Sequence, residues 1–328
     1  RDDVESRGLG DVYKRQEAAI PLLQATLDCY PYSINHWNSL GKCYLSTNDY
    51  EEAHEAIDFA LAIDDSNAEA LTLKAFCYQQ SGELQKSCDY YLRLAEQQEN
   101  KTRAYLALAK TYFEMQDYTS SIYYIEALLD NKDALSKYEL SELYGDIALC
   151  HAALKHIGVG QASIRRSLEL NENDPDTLIV AGRFFLMEAK ACNDETAKAE
   201  NQAKGELYFR QALNLIMEDE RLDYLFTIGA ACFDTQNFKL AAQYYEQINR
   251  EFPDNAPATY FFLAYCYFYL EEAISCMHYI AKMKHELPDA YSNLGTSDSI
   301  LSDTRFNELM RNLKDSVNNG KVDLDNFL

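Results

Sequence analysis

Apolar and small residues recur along this chain at a fixed step of 34. Trp37, Leu71 and Tyr105 are spaced this way, as are Gly41, Ala75 and Ala109, and Tyr44, Tyr78 and Tyr112. Tyr50, Leu84 and Tyr118 keep the step, and so do Ala53, Ser87 and Ser121. Within a unit the large residues fall three or four apart, the spacing of one face of an α-helix. Five columns in phase over three consecutive units predict a repeated pair of helices. Small residues at the Gly41 and Ala60 columns let two helices approach closely. Neither helix covers its apolar stripe alone, so each hairpin is expected to stack on its neighbours.

Trp37, Leu40, Gly41 and Tyr44, followed by Tyr50, Ala53, Ile57, Ala60 and Leu61, resemble the signature of a tetratricopeptide repeat. The resemblance implies an all-α chain of two antiparallel helices per unit, stacked as a right-handed α-solenoid with a concave groove. Units are expected at about 34–67, 68–101 and 102–135, and with more noise at 141–174, 175–220, 222–255 and 256–288. The fifth carries an insertion, about 189–202, expected to lengthen both of its helices by about a turn and a half; a lid is the alternative. The seventh is expected to have a shortened turn between its helices. Ala19, Leu23, Leu27 and Pro31 fit a second helix without its first, a half repeat over 17–33.

The two ends leave the repeat. Residues 1–16 have no helical period, and Asp11–Gln16 is similar to the translation of a transposon end used in preparing sequencing libraries. They are expected to be a non-native or disordered leader. Residues 289–328 comprise a polar linker, an amphipathic helix carrying Phe306, Leu309, Met310, Leu313 and Val317, and an acidic tail. This helix is expected to cap the last hairpin; the alternative is a displaceable plug in the groove. Deleting Asp303–Leu328 separates the two: a cap predicts lost stability, a plug predicts tighter ligand binding.

Composition changes the picture little. The 47% hydrophobic content suffices for a continuous core, and the longest apolar run, Tyr260–Leu270, falls well short of the about 20 residues that span a bilayer. The nine cysteines form no C-x-x-C pair. Cys43, Cys77, Cys150 and Cys266 share one repeat column and are expected to be small buried groups. Scattered thiols in odd number suit a reducing compartment, so a cytoplasmic location is expected. The six histidines are dispersed, and Gly158-Val159-Gly160 lacks the strand and the Gly-Lys-Ser/Thr ending of a phosphate loop. No catalytic, cofactor or metal residues are assigned, and the chain is not expected to be an enzyme.

Charge adds direction. With 53 acidic and 30 basic residues the chain carries −23, which repels nucleic acid. In tetratricopeptide arrays the groove is lined by positions 2, 5, 9 and 12 of each first helix. Carried over by register, those positions include Asn35, Asn38, Lys42, Phe76, Arg103, Leu106, Lys110 and Phe113, then Arg183, Phe226, Phe233, Phe261 and Tyr265. The groove is therefore expected to be cationic and amide-rich towards its start and aromatic towards its end. The alternative is that these cations offset neighbouring acidic helices. The pattern by which chaperone-binding members grip a C-terminal carboxylate is absent apart from Arg103.

The expected function is a non-catalytic scaffold that binds a peptide or helix of a partner protein in the concave groove, with acidic and apolar side chains, and neither binds nucleic acid nor inserts directly into a membrane. Two other readings stay open: the regulatory or substrate-presenting arm of a larger enzyme, or part of a membrane-associated assembly.

Overall fold

The 34-residue period becomes a helix, a three-residue turn and a second helix. The structure, a computed structural model, describes residues 18–130, 135–288, 291, 303–309 and 311, and among them there is no strand. The chain divides into two compact units, Arg1–Ser136 and Lys137–Leu328. The leader at 1–16, and Met310, Leu313 and Val317 of the C-terminal helix, lie outside the residues whose side chains are described.

In the first unit, α1 covers 18–29 and is followed by α2 (Ile34–Ser46), α3 (Tyr50–Ile63), α4 (Ala68–Gln80), α5 (Leu84–Ala95), α6 (Lys101–Glu114) and α7 (Tyr118–Leu129). Helices α2 and α3, α4 and α5, and α6 and α7 pack as hairpins, and α3 also packs on α4, as α5 does on α6. The small column is buried as its spacing requires: Ala53, Ser87 and Ser121 are all sealed from solvent. Ile57, Leu71, Leu94, Leu108 and Ile125 fill the space between helices, each contributing about 1.5–3 kcal/mol by leaving water.

The second unit contains α8 (Lys137–Ala153), α9 (Ile157–Leu170), α10 (Pro175–Ala191), α11 (Glu195–Leu215), α12 (Arg221–Asp234), α13 (Phe238–Glu251), α14 (Tyr260–Tyr269) and α15 (Ala273–Glu286). Its largest fully buried side chains include Phe184, Phe209 and Tyr245. Phe306, in a helical stretch over 304–309, joins the same core 6.3 Å from the Phe268 ring.

The insertion in the fifth hairpin is helix, not lid. Helix α10 runs for 17 residues and α11 for 21, joined by a short turn in which Asp194 caps α11 by accepting from the Ala197 N–H at 2.7 Å. The two come together at Gly205, where an added Cβ would lie 2.9 Å from the Gly182 carbonyl oxygen. Any side chain there pushes the helices apart.

Six hairpin turns share one design. Asn48, Gly82, Gln116, Lys155, Gln236 and Glu271 adopt left-handed backbone with φ of 60–75°. The next residue's N–H then reaches back to a carbonyl five residues earlier, as Asp49 does to Tyr44 at 2.9 Å and Glu272 does to Tyr267 at 2.9 Å. This is a Schellman closure of the first helix. It corrects the expectation of a shortened turn in the last hairpin. That turn matches the others, and the short element is α14, with ten residues. A 3₁₀ segment, Pro253–Thr259, takes the place of its first turn, and Pro257 disfavours α-helical backbone at Ala256 before it.

Cys77, Cys150 and Cys266 are buried and Cys43 is half-buried; all nine cysteines are free thiols. Burial pushes Cys77 up to about 11 and Cys266 up to about 12, so both stay protonated and inert at neutral pH. Among the described residues no helix is long and apolar enough to cross a membrane.

Candidate partner-binding face

Residues 35, 38 and 42 lie at helical spacing on α2, so they share one face. The structure uses that face partly to join α2 to α4. Asn38 is buried, and its side-chain amide donates to Asn67 Oδ1 at 3.1 Å and to Glu69 Oε2 at 3.0 Å. Lys42 forms an ion pair with the other oxygen of Glu69. The hydrogen bond from Lys42, helped by Asn38 and the field of Arg103, holds the Glu69 carboxyl below its usual range. Asn35 stands exposed.

On α4 and α6 the same columns are more open. Phe76 keeps 41% of its surface exposed. Arg103 and Lys110 are exposed, and among the described residues neither forms an ion pair. Leu106 between them is half-buried, and Phe113 packs edge-on to Tyr118 with centroids 5.4 Å apart. Gln79 donates to both oxygens of Glu114, at 2.8 and 2.9 Å, which ties the ends of α4 and α6 together. The first unit thus brings Lys42, Asn38 and Glu69 into one contact and leaves Arg103 and Lys110 without an ion pair among the described residues.

In the second unit the half-buried Arg183 lies 3.6 Å from the exposed Asp234, a long pair of small energetic weight. Its aromatic positions cluster. Phe233 meets Phe238, Phe262 and Tyr265 edge-on at 5.7, 5.5 and 6.3 Å. Phe261 lies 4.6 Å from Tyr265 and is 39% exposed. Phe226 packs against the buried Tyr245 ring. Phe226 and Phe233 serve largely as internal packing, while Phe261 reaches the surface. Two residues central to this arrangement escaped the register argument. Phe262 stacks on Tyr245 at 4.9 Å, and Asp234 is the counter-charge of Arg183. No repeat column marks either one.

Helical hairpins, most of them closed by the same Schellman turn, define a helical repeat protein. The tetratricopeptide repeat family's model matches residues 38–101. Solved structures with a related fold include PilF of Pseudomonas aeruginosa, 18% identical, covering 67% of this chain and 92% of that one, with a TM-score of 0.45. The type IV pilus biogenesis factor PilW is 17% identical over 67% and 94% of the two chains, with a TM-score of 0.47. MamA of Desulfovibrio magneticus RS-1 is 12% identical over 56% and 94%, with a TM-score of 0.44. At this distance they carry no argument about function. No curated protein matches the sequence.

Proposed function

We propose that this chain is a non-catalytic interaction scaffold whose first unit holds an acidic segment of a partner protein across α4 and α6. The observation that carries the reading is the pair Arg103 and Lys110, seven residues apart on one helix face and free of ion pairs among the described residues. Leu106 between them and the exposed ring of Phe76 supply apolar contact beside the charges. Arg and aromatic side chains dominate binding energy at such surfaces. Lys42 contributes less than its sequence position suggests, because Glu69 already balances it. In the second unit Phe261 and Tyr265 offer an aromatic anchor for apolar side chains. Affinity for a single short segment is expected on the order of micromolar.

The test uses a labelled helix-forming Glu/Leu peptide and fluorescence anisotropy. Arg103→Glu with Lys110→Glu is expected to weaken binding by about tenfold or more, while Lys42→Glu weakens it far less. Unchanged affinity in the double variant removes this reading.

A further inference from the structure

Helix α2 carries a second face. Trp37, Leu40 and Tyr44 sit two positions on from Asn35, Asn38 and Lys42, a rotation of about 200° around the helix. They therefore point away from the face already described. Together with α1 and α3 they enclose a cleft of about 490 Å³, within the range of about 300–1,000 Å³ usual for ligand pockets.

The cleft has an apolar floor and a rim of one charge. Leu27, Trp37, Leu40, Ala56 and Phe59 line the floor, with the Trp37 and Phe59 rings stacked at 4.5 Å. Phe59 still exposes 54% of its surface. The walls are tethered: Gln24 donates to the Tyr44 hydroxyl at 2.9 Å, and the Trp37 indole donates to the Pro31 carbonyl at 2.8 Å. The cleft is thus shaped before anything enters it. Asp28, Glu52 and Glu55 stand at its edge, all exposed, and among the described residues none has an ion-pair partner. Helices α1 and α3 contain no Lys or Arg that could balance them.

An apolar floor beneath three unbalanced carboxylates is complementary to a side chain that is apolar at its base and flanked by cations. We propose that this cleft docks a basic amphipathic helix of a partner protein, with a Leu or aromatic anchor laid against the stacked Trp37 and Phe59 rings and Lys or Arg side chains on Asp28, Glu52 and Glu55. This surface lies on the other side of α2 from the cationic face and selects the opposite charge, so one repeat array could hold two unlike partners.

Trp37 is the sole tryptophan of the chain and lines the cleft, so its emission reports occupancy directly. The probe is a helix-forming Leu/Lys peptide, titrated into the full chain at low and high salt beside a scrambled peptide of equal composition. Saturable binding with a shifted Trp37 emission is expected, weakening at high salt. Glu52→Lys with Glu55→Lys is expected to lose about tenfold in affinity, and so is Phe59→Ser, whose ring is too exposed to be needed for folding. Asp219→Lys with Asp254→Lys makes the same charge change on exposed positions of the second unit and should leave affinity within about twofold. Equal losses in the two charge variants, or equal binding of the scrambled peptide, would overturn the proposal as mere bulk attraction. So would a Trp37 shift with protein concentration alone, which makes a second copy the occupant, or on deleting residues 1–16, which makes the chain's own segment the occupant.

Discussion

The ammonium of Lys74 lies 2.6 Å from a carboxylate oxygen of Asp58, and the lysine is buried at a position where the neighbouring repeats place Leu40 and Leu108. Its side chain is only 3% exposed, and its ammonium is held by the largely exposed Asp58 and by the His54 carbonyl oxygen, 3.3 Å away. A long side chain thus fills a leucine site with its charge paired rather than solvated.

Removing the counter-charge should therefore cost more than removing the pair. Asp58→Ala is expected to destabilise by about 1–2 kcal/mol, at the low end for such a pair because the carboxylate is largely exposed. Lys74→Leu should be neutral or stabilising, since a leucine needs no partner there. Urea denaturation of both single variants and the double variant checks this. An equal cost of Asp58→Ala in both backgrounds would show that the two residues are not coupled.

The hairpin turns predict a graded response to glycine. Gln236 and Lys155 hold φ near 61°, which strains a residue with a Cβ, whereas Gly82 at 75° does not suffer this. Gln236→Gly should gain about 0.5 kcal/mol and Gly82→Ala should lose about 1 kcal/mol, read as opposite shifts in melting temperature. Shifts of the same sign would mean that the turns are held by something other than the Schellman closure.

Glu188 on α10 predicts a pH dependence. The side chain is buried, Gln161 donates to one of its oxygens at 3.2 Å, and the other oxygen has no partner. Burial raises its pKa, against smaller lowering effects of Gln161 and Lys204. A raised folded pKa means that the folded state binds the proton more tightly than the unfolded chain does. The stability this adds is complete below the unfolded pKa and is lost as pH rises through the folded one. Glu188→Gln should therefore stabilise the protein at neutral pH and make little difference well below pH 4.5, the ordinary value for this group. Melting curves across that window decide it, and a constant difference at every pH would remove the titration from the explanation.

Much of the fold was legible because it rests on local spacing. The Trp37, Tyr44 and Ala53 columns encode helix faces and close approaches within about one unit of sequence. They became α2 to α7, with Ala53, Ser87 and Ser121 buried as their small size requires. The length of α10 and α11 followed from helix-forming composition in the insertion. The seventh hairpin shows the limit: its shortness lies in α14, where a Pro-bearing 3₁₀ turn replaces the first helical turn, and not in the turn between its helices, because residue spacing does not distinguish the two. The face was legible as a set of positions, and its charge balance was not. Lys42 and Arg183 read as ligand-facing cations in the sequence, yet Glu69 and Asp234 stand beside them.

The sequence by itself determined the repeating hairpin and its helix faces, because these depend on residues three, four and 34 apart in one chain direction. The tertiary structure decided which charges are spent on holding helices together and which remain for a partner. Lys42 meets Glu69 and Lys74 meets Asp58 across different helices. Such pairings are set by interhelical distance and side-chain rotamer, and no period along the chain records either. The same reason kept the acidic cleft beside Trp37 out of sight. Its floor is made of ordinary signature residues, and its rim exists only once three helices bring Asp28, Glu52 and Glu55 to one edge.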